Sequence, residues 1–365
     1  MRHFLLICRE GYSKRGSKVN RRSESVESWE RASREEKSAK SSTKEIEQAV
    51  HYHTWKSSPC VNATFLQMLL GIYQMTQSQP SPIRKAGRAG LFLLFLACGI
   101  SLPSLSGLFI FPFSLVPQSL DWSYRISLST VFLVASIILM RSRSYNRYWK
   151  AFFAFFVASI ALNVQAISEY FDFGSTPINN VALAMVSSTL LVVIPIVAIS
   201  LVSGEKPAAI YLTRGNLKWG LLVGSIGFEA FALVSIPAAT YLFQGHDITV
   251  SKVSSWAVPI LITVFANGFR EELLYRGIFL KKYESLLGSK SANLLQAIIF
   301  SLSHSVAGMG PKAYTPYTAV LVLFTLVLGL VWGFVMQRTN SIWGSVLFHA
   351  GSDISVFLGI FSNLS

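Results

Sequence analysis

From Gly90 onward the chain alternates long apolar runs with short basic or turn-rich breaks. A helix needs about 18 apolar residues or more to cross the hydrocarbon core of a bilayer. Nine such crossings can be placed, at about 90–111, 123–140, 151–168, 181–203, 219–243, 254–275, 291–308, 317–336 and 341–361. The first, interrupted by Pro103 and Pro112, is the weakest of them. Before Gly90 the pattern changes. The stretch ESVESWERASREEKSAKSSTKEIEQ mixes both charge signs with serine and predicts at most one solvated amphipathic helix, near 24–50. Residues 62–75, NATFLQMLLGIYQM, are apolar but short, and are expected to lie on the membrane surface. The fold class predicted is all-α: a polytopic transmembrane bundle of about eight or nine spans with a polar N-terminal arm. Its parts are an arm at 1–85, N-terminal transmembrane helices at 86–250 and a further transmembrane bundle at 251–365.

Composition agrees with that division. Charged residues are 14% of the 365, against about 25% in an ordinary soluble domain, and mean hydropathy is +0.46. The net charge of +14 is not accompanied by a basic groove interleaved with aromatics, a zinc-knuckle spacing or a helix-turn-helix pattern, so nucleic acid is not an expected partner. The basic residues instead mark alternate loops: Arg84, Lys85 and Arg88; Arg141, Arg143, Arg147 and Lys150; Lys206, Arg214 and Lys218; Lys281, Lys282 and Lys290; then Arg338. Basic loops stay cytoplasmic, which predicts a cytoplasmic N-terminus and an external C-terminus. Cys8, Cys60 and Cys98 form no CxxC pair and imply no disulfide framework. The start MRHFLLICRE is too short an apolar stretch for a signal peptide, so the first span is expected to direct insertion.

Ionisable residues inside a span are costly and mark function by default. They concentrate in three of the later segments. FANGFREELLYRGIFLKK supplies Glu271, Glu272 and Arg276, QAIIFSLSHSVAG supplies His304, and WGSVLFHAGSD supplies His349 and Asp353. Counted from Lys281, Lys290 and Arg338 at about 1.5 Å per residue, Glu271, His304, His349 and Asp353 lie roughly 15, 21, 16 and 22 Å deep. Three helices thus deliver their groups to similar depth. Glu272 and Arg276, Phe300 and His304, and His349 and Asp353 are each four apart and share a face. Adjacent Glu271 and Glu272 point about 100° apart, so one can face a site while the other holds Arg276. A carboxylate in a low-dielectric pocket can take a proton from water near neutral pH. Two imidazoles and a carboxylate are also a zinc ligand set with one position open. Both routes end in hydrolysis, and HExxH is absent.

These segments resemble the CPBP intramembrane proteases, also called the Abi or CAAX prenyl endopeptidase family. EExxxR appears as Glu271-Glu272-Leu273-Leu274-Tyr275-Arg276, FxxxH as Phe300-Ser301-Leu302-Ser303-His304, and HxxxN/D as His349-Ala350-Gly351-Ser352-Asp353. The resemblance covers about 250–360. It implies that Glu271 activates the attacking water, that Glu272 and Arg276 organise the site, and that His304, His349 and Asp353 complete it. It further implies cleavage of a membrane-associated protein or peptide, prenylated in eukaryotes, or bacteriocin processing and self-immunity in bacteria. The expected location is a bacterial plasma membrane or, alternatively, the endoplasmic reticulum or another organelle membrane. Many members carry Asn where this chain has Asp353. An unprotonated carboxylate cannot donate to an oxyanion, so Asp353 suits a metal ligand or a partner for His349 better. Zinc on His304, His349 and Asp353 is one candidate cofactor, and metal-free water activation is the other.

Plainer readings compete at several positions. Glu272 with Arg276 also suits a structural ion pair. Phe300 reads equally as a lipid- or core-facing residue. Glu229, alone in LLVGSIGFEAFALV, suits a hydrogen bond to a neighbouring helix. A non-proteolytic scaffold on the same fold is the rival from another class. A transporter with a buried proton-coupling acid would call for an internal repeat, and residues 90–250 contain no counterpart of the three motifs.

Overall fold

The computed structural model describes residues 82–102, 118–304 and 316–365. The helix expected near 24–50, the surface stretch at 62–75, Cys8, Cys60, Pro103 and Pro112 lie outside the described residues. Among the described residues no strand forms, and the α-helices are α1 (Pro82–Ser101), α2 (Asp121–Arg141), α3 (Trp149–Gln165), α4 (Pro177–Val202), α5 (Leu217–Leu233), α6 (Ser235–Leu242), α7 (Val250–Glu271), α8 (Leu280–Leu287), α9 (Ser289–Ser303), α10 (Pro316–Thr339) and α11 (Trp343–Ser362).

Among the described residues six helical stretches are long and apolar enough to cross a membrane, and a seventh is if α5 and α6, bent 59° at their junction, count as one span. The expected first and seventh crossings correspond to shorter helices. The apolar part of α1 is Gly87–Ser101, and α9 has 15 residues. Local signals fix several ends. Pro177 opens α4 at a position where its missing N–H costs nothing. The side chains of Asn216 and Thr249 cap α5 and α7 by accepting from Trp219 N and Lys252 N, each at 3.3 Å. Gly288, at φ +84°, ends α8.

The hub is α11. Of its apolar window 72% is buried, against 22% for α2. It packs most extensively on α5, where glycines let the backbones approach, as expected for helices that cannot rely on a hydrophobic driving force inside lipid. A Cβ on Gly224 would lie 2.7 Å from Gly344 O, and one on Gly351 would lie 2.4 Å from Phe228 Cα. Large apolar residues such as Leu190, Ile194, Leu323 and Val327 face outward, as suits a lipid environment.

The loop between α4 and α5 braces the end where the basic residues gather. Tyr211 O accepts from Ile342 N at 3.1 Å, and the Tyr211 hydroxyl bonds Glu284 at 3.4 Å. Burial, reinforced by the Glu284 carboxylate, keeps that phenol protonated far above its ordinary range. Lys282 Nζ reaches Glu205 at 3.1 Å, both largely buried, which secures α8 beneath the same loop.

Candidate active site

Helix α7 does not continue as a regular α-helix through the two glutamates. After Glu271 the backbone opens into a π-helical turn, Glu272–Gly277, before α8. Such turns are rare and recur at functional sites. Here the turn carries Glu272, Tyr275 and Arg276, while the last turns of α7 carry Asn267, Arg270 and Glu271. Three helices face it: α9 with Phe300 and, at its C-terminal cap, His304; α10 with Trp332; and α11 with His349 and Asp353.

All six residues expected from the motifs meet there. Glu272 and Arg276 are fully buried and paired at 2.5 Å. The same carboxylate oxygen, Glu272 Oε1, accepts from His349 Nδ1 at 2.8 Å. His349 Nε2 then faces Glu271 Oε2 at 3.6 Å and Asp353 Oδ1 at 3.6 Å. His304 Nε2 faces the same Glu271 oxygen, also at 3.6 Å. Its Nδ1 lies 2.8 Å from Phe300 O. A carbonyl and a carboxylate can only accept, so both Nδ1 atoms carry hydrogen. In the neutral rings each Nε2 is then a lone pair aimed at Glu271.

Glu271 is held asymmetrically. Oε1 accepts from Arg270 Nη2 at 3.1 Å, whereas Oε2 is buried and has no donor among the described residues. Asp353 Oδ2 accepts from Asn267 Nδ2 at 2.8 Å. The most open member of the cluster is His304, 21% exposed; Glu271 and Asp353 are each 12% exposed at the side chain.

Aromatic rings wall the site. The Trp332 ring stacks on His349 with centroids 3.9 Å apart and planes 11° from parallel. The Arg276 guanidinium lies over Phe300 at 4.4 Å and over Trp332 at 5.1 Å. These π faces cover a cation whose Nε and Nη2 are buried without hydrogen-bond partners among the described residues. Phe300 is core-facing, buried in a cluster with Leu328 and Trp332, and it also touches Arg276, His304 and His349. Its own carbonyl fixes the His304 tautomer.

Other expectations fare differently. Glu229 is exposed on α5 rather than turned into a helix contact. Among the described residues no group of three His, Cys, Asp or Glu side chains has metal-ligand spacing, and of the suggested zinc set of His304, His349 and Asp353, Asp353 accepts from Asn267 with one oxygen and faces His349 Nε2 with the other. Asn267, Arg270 and Trp332 belong to the cluster and were not expected there. Arg270 is an intramembrane cation in the same quoted segment, so the rule that singled out its neighbours also applied to it. Trp332 has no sequence signal beyond its span.

Residues 253–355 match the family model described as type II CAAX prenyl endopeptidase Rce1-like. The matched segment includes every residue of the three motifs. Comparison with curated proteins and with solved structures gave no match.

Proposed function

From the premise that this chain carries a CPBP-family domain at residues 253–355, we propose that it is an integral-membrane endopeptidase in which Glu271 activates water. One observation carries the reading. Among the described residues Glu271 Oε2 has no donor, and it faces two imidazole Nε2 atoms at 3.6 Å, while the other nitrogen of each ring is tied elsewhere.

That spacing suits a shared water. Two acceptors 3.6 Å apart, each about 2.8 Å from a water oxygen, subtend roughly 80° there, about 25° inside the angle between the two O–H bonds and within the bending a hydrogen bond tolerates. A water has two hydrogens for three acceptors, so one of the three carries its own proton. With Glu271 as base, that proton sits on an imidazole. Glu271 takes a proton as the water oxygen attacks the scissile carbonyl carbon. The protonated imidazole donates to the oxyanion that forms, and Glu271 returns its proton to the leaving amine. Glu272 holds His349 in the required tautomer and orientation, and Arg276 balances its charge.

The substrate is a membrane-associated protein or peptide, and a prenylated C-terminus is the class named by the matched family. No metal is needed for these steps. The test compares protein and peptide termini, by mass spectrometry, in cells making wild type or Glu271→Gln at matched levels. A terminus present only with wild type supports proteolysis and identifies the substrate. Identical termini together with a phenotype that survives Glu271→Gln would favour a scaffold or self-immunity protein.

A further inference from the structure

A guanidinium within a span is costly unless it has partners, and Arg270 has three. Its Nη2 donates to Asn267 Oδ1 at 2.5 Å and to Glu271 Oε1 at 3.1 Å. Its Nη1 donates to Ser188 Oγ at 2.7 Å. Ser188 lies on α4, and its hydroxyl also accepts from Gln165 Nε2, at the end of α3, at 2.8 Å. The Thr189 hydroxyl fixes the register of the two helices by donating to Ala266 O at 3.0 Å.

We propose that Arg270 is a positioning residue, braced by Ser188 and Gln165, that aims both site carboxylates. This rests on the proposed role of Glu271. The terminal torsion of a glutamate is broad, so a carboxylate held at one oxygen is aimed and one held at neither is not. Arg270 takes Oε1 and thereby presents Oε2 to the two imidazoles. Its effect extends to Asp353. A guanidinium only donates, so Asn267 must turn its carbonyl oxygen to Arg270 and its NH₂ to Asp353. One cation thus sets the acceptor geometry of Glu271 directly and of Asp353 through an amide. Ser188 and Gln165 lie outside the matched 253–355 segment, so helices with no motif of their own hold the far end of this brace.

The experiment uses the full chain in lipid nanodiscs and a quenched-fluorescence farnesylated peptide ending in a CAAX sequence. Arg270→Gln should lower kcat by about 10²-fold, the scale of a misplaced reacting group, with KM within twofold of wild type. Arg270→Lys should restore part of kcat. Ser188→Ala, which keeps the cation and removes only its anchor, should lower kcat by a smaller factor. The second readout needs no turnover. The infrared difference between wild type and Glu271→Gln isolates the Glu271 carboxylate stretch, and the same difference in the Ser188→Ala and Arg270→Gln backgrounds should be shifted. Unchanged kcat in both variants, or an unshifted band in both, overturns the proposal. If wild type fails to cleave the peptide, the proposed substrate class is what fails, and the band still decides whether Arg270 orients Glu271.

Discussion

Adjacent glutamates with opposite duties offer a sharp test. Glu272 is fully buried, pairs with Arg276 at 2.5 Å and holds His349 Nδ1 at 2.8 Å. Among the described residues Glu271 makes one hydrogen bond, at 3.1 Å, and its other oxygen has no donor. Glu272→Gln keeps an acceptor for His349 but strips the counter-charge from Arg276, whose cation is then covered only by Phe300 and Trp332. Breaking one side of a buried pair costs about 3–5 kcal/mol, and the π faces offset on the order of 1–2 kcal/mol already present in wild type. The loss from Glu272→Gln is therefore about 3 kcal/mol or more. Glu271→Gln exchanges one charged acceptor for a neutral one beside a partly exposed Arg270, a change of about 1 kcal/mol. Activity should rank differently. Removing the general base lowers turnover by about 10²–10⁴-fold or more, whereas folded Glu272→Gln should retain residual turnover through Glu271. The assay pairs denaturant unfolding in mixed micelles with cleavage at a temperature where both variants are folded. Wild-type stability in Glu272→Gln, or wild-type turnover in Glu271→Gln, would refute this division of labour.

Further outcomes follow from the packing and the donor set. Trp332→Leu removes the ring stacked 3.9 Å from His349; stability should fall by less than the about 3–5 kcal/mol of truncation to alanine, and turnover should fall with it in the cleavage assay. Gly351→Ala places a Cβ 2.4 Å from Phe228 Cα, forcing α5 and α11 apart; about 1–3 kcal/mol of unfolding stability should be lost. Dialysis against a chelator should leave cleavage unchanged, with substoichiometric metal by elemental analysis. One equivalent of zinc lost together with activity, and with the Asp353→Asn variant failing to bind it, would establish the metal reading instead.

How far the sequence could be read depended on what each signal measures. Depth was legible because helical rise is constant: residues counted inward from Lys281, Lys290 and Arg338 meet within 3.6 Å of a common oxygen. The all-α class followed from apolar run length. The number of crossings was less legible, because α5 and α6 bend by 59° and α9 has only 15 residues. Hydropathy averages across a bend as readily as along a straight helix. Asn267, Ser188 and Gln165 escaped because a hydrogen-bond network is a property of three packed helices, and no spacing along one of them encodes it; Arg270 carried the same intramembrane-charge signal as its neighbours. Glu229 shows the converse: an intramembrane acid is a candidate by composition, yet its exposed position on α5 separates it from the cluster.

The π turn is where local and tertiary structure join. An ideal α-helix would set Glu271 and Glu272 about 100° apart, enough to send one carboxylate to the site and the other to Arg276. The structure does more with that divergence. One imidazole ring, His349, receives both carboxylates, Glu272 at Nδ1 and Glu271 at Nε2, so the structural pair and the reacting pair share a member. Glu272 is therefore at once the partner of Arg276 and the acceptor that fixes the tautomer of His349. The two readings of Glu272 that compete in the sequence, an ion pair and a site residue, describe one oxygen atom with two donors. Glu272→Gln therefore removes the ion pair but also takes the charge from the acceptor that holds His349. Arg276→Met leaves that carboxylate and its bond to His349 in place and removes the cation alone, so its effect on turnover in a folded sample isolates the contribution of the Arg276 charge from that of the Glu272 to His349 bond.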